Sequence, residues 1–363
     1  MATNSHINSA ARRWAATFFL LTGAIGGGAL AGRTALPAAT STAASAGQEA
    51  PQRAAQPAGY GWPVKPFDRQ HPVRGSFGDP RSVFNGAPTV RGLMTSNGAF
   101  SYHQGIDISA PDGTAVYAVR SGVVRTVTAD WVQVDSEGGV AFQYWHIRSA
   151  VDVGESVRAR ADVLGYILRA SEHVHLTELE NGKAVNPLAP GHLGPYVDNT
   201  TPRVGEITFR SSDTGPELLP EYLYGSVEIV AAASDVHAVP VPGQWAGMPV
   251  TPAKLTYRVS GFPSGRVVIR ERVALDVTNH LPGSNMWQTY ARGTHMNMVQ
   301  MGVHRYWYQP GVYLFKLTPQ LFDTRRLTDG VFRITVTARD TAGNHSSASQ
   351  IFQVHNRATW LAG

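Results

Sequence analysis

The sequence predicts an all-β protein: two antiparallel units in series behind an N-terminal leader. Three observations carry that expectation. Short runs rich in valine, isoleucine, threonine and aromatics recur, closed by turn signals such as Asp112-Gly113, Ser121-Gly122 and Glu137-Gly138-Gly139. No long amphipathic helical pattern interrupts them. A crossing segment holding Pro187, Pro190, Gly191, Gly194 and Pro195 separates the first set of strands from a second.

In chain order, residues 1–46 read as a secretory signal peptide. They hold Arg12, Arg13 and Arg33 and no acid, an apolar run over 14–31, and Ala44-Ser45-Ala46 as a small-residue cleavage site. A secreted or cell-envelope location follows. An uncleaved membrane anchor is the alternative, disfavoured by Gly23, Gly26, Gly27 and Gly28 within the run. Arg12-Arg13 ahead of Trp14 also suits twin-arginine export, so the route stays open. Residues 47–62, rich in Ala, Gln, Pro and Gly, read as a linker.

The first unit spans 63–195, with strands expected over 114–119, 123–128, 131–135, 140–146 and 156–158. Residues 84–101, with Asn85-Gly86 and Asn97-Gly98, read as a rim loop or a surface insertion. The second unit spans 196–356, with strands over 227–233, 254–259, 266–271, 311–317 and 331–338. Its stretch 329–344, followed by Ile351-Phe352-Gln353-Val354, resembles the last hairpin of bacterial immunoglobulin-like domains, which implies a β-sandwich. The insert 279–310 carries Trp287, Tyr290, His295, His304, Tyr306, Trp307 and Tyr308. These fill the sandwich core or, alternatively, present a surface to a glycan or another partner. With its own strand set, the first unit is expected to fold and act alone; the alternative is that the second unit packs on it and is needed for its stability.

Composition excludes several classes. The chain has 363 residues and no cysteine, which rules out disulfides, thiolate zinc sites and a cysteine nucleophile. Its formal charge is +5, from 31 basic and 26 acidic residues; loss of the leader's three arginines leaves 28 against 26. So small an excess gives no case for nucleic acid. Oligomeric state is not legible.

The chemistry concentrates in three pieces: His103-Gln104-Gly105-Ile106-Asp107, Tyr144-Trp145-His146, and His173-Val174-His175. Gly105 and the β-branched Ile106 and Ile108 argue against a helix. In extended chain, alternate residues share a face, so His103 and Asp107 point one way and His173 and His175 point together. Imidazoles with one carboxylate are the ligand set of a Zn²⁺ site with an open position. A single histidine would more often be an ordinary surface or core residue; the combination argues for the metal. No His-Glu-x-x-His and no Gly-x-Ser-x-Gly is present.

These pieces resemble the motifs of the lysostaphin/LytM-type zinc metallopeptidases, the M23 endopeptidases. Gly75-Ser76-Phe77-Gly78-Asp79-Pro80-Arg81, the stretch 111–124, Val153-Gly154-Glu155-Ser156-Val157 and Asn181-Gly182-Lys183-Ala184-Val185-Asn186-Pro187 are similar to neighbouring parts of that domain, in order. The resemblance covers about residues 68–190. It implies a LytM-type antiparallel sheet, Zn²⁺ on His103, Asp107 and His175, and catalytic roles for His146 and His173. It further implies hydrolysis of peptide cross-links in bacterial peptidoglycan. Two departures stand out. Arg169-Ala170-Ser171-Glu172 replaces a glycine-rich turn, and Leu176-Thr177-Glu178 replaces the family's Phe-Glu. By strand parity Glu178 faces away from His175 and reads as structural. The alternative function is a non-catalytic wall-binding or hydrolase-regulating envelope protein.

Overall fold

In the computed structural model of the chain, which describes residues 59–81, 83–84, 87–88, 101–283, 285–301 and 306–357, the β-branched runs become strands. The expected signal peptide, the linker as far as residue 58 and most of loop 84–101 lie outside the described residues. Tyr60 and Trp62, at the end of the expected linker, are buried, so order begins slightly earlier than the sequence suggested.

The first half builds an eight-stranded antiparallel sheet. Its order is Val73–Gly75, Ile106–Ser109, His173–Glu180, Val140–Trp145, Trp131–Ser136, Gly122–Val127 and Ser156–Val157, with Lys183–Val185 beside His173–Glu180. Ala115–Tyr117, Ile147–Ser149 and Val163–Ile167 form a smaller sheet. Period-2 alternation explains the core: Val132, Val134, Phe142, Tyr144, Ile106, Ile108, Val174 and Leu176 are fully buried, while their neighbours face outward. Burying each such side chain contributes about 1.5–3 kcal/mol.

Register places the chemistry. His175 pairs with Asp107 on one side and with Trp145 on the other, so three adjacent strands bring these residues to one level of the sheet. The β-carbon of any residue at 105 would stand 2.2 Å from the Leu176 carbonyl oxygen and 2.9 Å from His175 Nε2; only glycine fits there.

The second half contains two large antiparallel sheets and a two-stranded one, Met298–Met301 with Tyr306–Gln309. Of the large sheets, one holds Glu217–Leu218, Arg203–Arg210, Ser226–Ser234, Leu314–Lys316 and Phe322–Asp323; the other holds Val267–Asp276, Lys254–Gly261, Gly330–Arg339 and His345–Val354. Phe209 and Phe352 meet across them with ring centroids 5.3 Å apart. Of the aromatic insert, Tyr290 is buried and Trp287 packs partly against the core, as core filling requires. His304 and the side chains of Tyr306, Trp307 and Tyr308 lie outside the described residues.

The two halves share buried hydrogen bonds. Thr251 N donates to Asp79 Oδ1 (2.7 Å), Tyr290 OH to the Gly78 carbonyl (2.8 Å), and Tyr102 OH to Thr289 Oγ1 (2.6 Å). Asn186 ties the strand end to Val277 and Asn279. Asp79, Tyr102, Asn186 and Tyr290 are all buried. The crossing segment is rich in proline and glycine, but that marks a bend and says nothing about what its flanks cover. Among the described residues, no helix is long and apolar enough to cross a membrane.

Candidate metal centre and its cleft

Three ligand atoms converge on one face of the large sheet. His103 Nε2 lies 2.7 Å from His175 Nδ1 and 3.1 Å from Asp107 Oδ1, and His175 Nδ1 lies 3.0 Å from Asp107 Oδ1. A tetrahedral ion with bonds of about 2.0–2.1 Å would space its ligand atoms roughly 3.3 Å apart, close to this triangle.

The outer hydrogen bonds decide what these atoms offer. His103 Nδ1 sits 2.8 Å from the Ser76 carbonyl oxygen. A carbonyl only accepts, so Nδ1 carries the proton and Nε2 presents a lone pair. His175 Nε2 lies 2.8 Å from Thr177 Oγ1, a hydroxyl able to donate or accept, and Nδ1 is the nitrogen that faces the triangle. Metal-bound histidines tie their second nitrogen in this fashion. Lone pairs of two imidazoles and a carboxylate facing one another repel unless a cation lies among them. The donor set therefore fits a Zn²⁺ ion.

Electrostatics agree. Burial, reinforced by the Arg81 charge, lowers His103 to about 3, so it is neutral at pH 7 as a ligand must be. Burial penalises the Asp107 carboxylate, but the His103 ring and the Arg81 guanidinium outweigh it and hold its pKa well below the usual range. Arg81 Nη2 bonds Asp107 Oδ2 at 2.8 Å, leaving Oδ1 to the triangle.

His146 and His173 stand beside this centre, ring centroids 4.5 Å apart. His146 ends its strand at φ 64°, a left-handed conformation that costs a residue of this type ~1–3 kcal/mol. That turn directs the chain so that its ring meets His173. His173 Nε2 lies 3.6 Å from Asp107 Oδ1. Burial lowers His146 and brings His173 to about 4, so both are neutral bases at pH 7.

The segment replacing the glycine-rich turn is held by another device. Ala170 and Glu172 adopt φ of 64° and 51°, and Asp112 accepts from both their amides, at 2.6 and 2.8 Å. This clamp delivers His173 into its strand. Glu178 faces the other way, buried, and accepts from Tyr60 OH and from His192 Nδ1 at 2.9 Å.

A cleft of about 360 Å³ lies over the centre. Its remaining walls are Arg74, Arg81, Trp145, Trp245 and Met296. Trp145 stacks on Trp131, ring centroids 4.7 Å apart. Every residue singled out in the sequence for chemistry is here: His103, Asp107, His146, His173 and His175. Sequence reasoning missed Thr177, Arg74, Arg81, Trp245 and Met296. Parity was a usable sign for Thr177, two residues past His175 on the same face. No local pattern marks the others.

Residues 101–187 match peptidase family M23. This segment belongs to that family. All five residues lie within the M23 segment, whereas Arg74, Arg81, Trp245 and Met296 lie outside it. Similar solved structures include a SpoIIQ–SpoIIIAH pore-forming complex, at 22% identity over 38% of this chain and 93% of that one, with a TM-score of 0.28. A zinc-containing peptidase from Vibrio cholerae aligns at 19% identity over 37% of this chain and 39% of that one, TM-score 0.27. The catalytic domain of lysostaphin from Staphylococcus simulans aligns at 20% identity over 31% and 86%, TM-score 0.24.

Proposed function

We propose that the chain is an exported zinc metalloendopeptidase that hydrolyses peptide cross-links of bacterial peptidoglycan. One observation carries the reading: His103 Nε2, Asp107 Oδ1 and His175 Nδ1 converge within 2.7–3.1 Å of one another, with their outer nitrogens tied elsewhere. Family membership of the segment supports it. Peptidoglycan as substrate, and export, rest on the family resemblance and on the leader sequence. The unit boundaries 63–195 and 196–356, with an immunoglobulin-like sandwich in the second, belong to the same proposal.

His103, Asp107 and His175 would hold the ion, and a bound Zn²⁺ supplies Lewis acidity and lowers the pKa of a coordinated water to about 7. The chain's own groups do the rest. The Ser76 carbonyl fixes the His103 tautomer, and Thr177 orients the His175 ring. Arg81 keeps Asp107 ionised and oriented. His146 and His173, neutral and side by side, take up a proton from the attacking water, return one to the leaving amine, and donate to the developing oxyanion. The open cleft admits an extended peptide.

Digestion of purified sacculi with and without a chelator tests the reading. New amino termini should appear, vanish with chelator and return with Zn²⁺. Intact sacculi under all conditions would contradict it.

A further inference from the structure

The cleft holds more positive charge than the proposed chemistry uses. Arg74 and Arg81 both line it, and Asp107 is the single carboxylate among its described lining residues. Asp107 is already shared by Arg81 and the imidazoles. Arg74 Nη2 donates to the Ser171 carbonyl (2.9 Å) and its other side lies against His173 Nδ1, which faces the same carbonyl. Arg81 spends Nη2 on Asp107. Among the described residues, Nε and Nη1 of both guanidiniums make no hydrogen bond to the protein.

A partly buried cation with unspent donors is costly unless an anion meets it. Burial shows its effect on Arg74, whose pKa falls below the ordinary arginine value. The second half contributes the other wall. Trp245 lies under the Arg74 guanidinium, whose central carbon stands 4.3 Å from the indole centroid. Stacking of this kind fixes the plane of the guanidinium and leaves the N–H groups of Nε and Nη1 unspent. Nη2 is engaged on both of its sides, so the fixed guanidinium offers a carboxylate single charge-assisted N–H contacts rather than a fork, and Arg81 adds its own.

Position narrows the ligand. Asp107 alone separates Arg81 from the ligand triangle, one carboxylate oxygen toward each. One residue advances an extended chain by ~3.3–3.6 Å, so an anion held here belongs to the residue next to the bond at the centre.

We propose that Arg74, Arg81 and Trp245 form a carboxylate-binding subsite, and that the preferred substrate is a peptide with a free carboxylate on the residue flanking the scissile bond. This rests on the peptidase reading above. It also gives the second half a place in substrate recognition, through Trp245.

Soluble muropeptides, before and after conversion of their free carboxylates to carboxamides, test the subsite on the full chain. Binding is measured by calorimetry with chelator present, and turnover separately with Zn²⁺. The native pool should bind at least about tenfold more tightly than the amidated pool, as charge-assisted contacts to partly buried cations imply. Arg74→Gln and Trp245→Ala should lose most of that preference, so that each variant binds the two pools nearly alike. Arg74→Lys, which keeps the charge but not the planar group stacked on Trp245, should recover only part of it. Equal binding of both pools by the native chain overturns the subsite, as does failure to bind either. Preferential binding without turnover would sustain the subsite and sink the peptidase reading; turnover without preference would do the reverse.

Discussion

Thr177 Oγ1 lies 2.8 Å from His175 Nε2, on the same strand face and two residues along. The hydroxyl therefore anchors the ring edge opposite the nitrogen that faces Asp107 and His103. Thr177→Val keeps the shape and removes the partner. Zinc affinity should fall about 10–100-fold, the usual cost of losing such an outer contact. Competition with a calibrated chelator measures it, and unchanged affinity would remove Thr177 from the centre.

In the proposed reaction His146 and His173 transfer protons and do not hold the ion. His146→Ala and His173→Ala should keep zinc and lose on the order of 10²-fold or more in turnover. Loss of zinc along with activity would make the residue a ligand instead.

The interface between the halves leads to a stability prediction. A chain ending at residue 195 would uncover Tyr102, Phe77 and Asn186 and strand the Asp79 carboxylate without its Thr251 partner. It should aggregate or bind hydrophobic dyes, because a large exposed apolar patch is a liability. A monomeric, folded product that still cleaves a small peptide would show that the interface is dispensable.

Asp235 offers a pH prediction. Burial, then the charge of Asp198, raises Asp235 to about 8; Asp79 is raised to about 7, also chiefly by burial. Unfolded aspartates titrate near 3.9, so the folded chain retains protons that the unfolded chain has shed. Stability from these groups is full at low pH and is lost as pH rises through the folded values. His237, lowered to about 4 by burial, works in the opposite sense only below its unfolded value near 6.5. Between pH 6.5 and 8 the melting temperature should therefore fall. Asp235→Asn should flatten that fall, and an unaltered slope would show that Asp235 is ionised throughout.

Much of this was legible in the sequence because it obeys local rules. Turn signals and β-branched runs located the strands from Gly122–Val127 to Val140–Trp145 within a residue or so. Alternation placed His173 and His175 on one face and Glu178 on the other. The rest depends on contacts that no local pattern encodes. Arg74 reaches Trp245 across the two halves, and Asp79 reaches Thr251. His146 owes its position to a left-handed backbone that its residue type does not announce.

The central claim is that the three converging atoms hold one metal ion. The most direct measurement is metal content by atomic spectrometry of the purified native chain beside His103→Ala, Asp107→Ala and His175→Ala. The account requires about one Zn²⁺ per native chain, as for a three-ligand site, and little in any variant. Native protein without zinc after purification in its presence, or variants that retain it in full, would contradict the account.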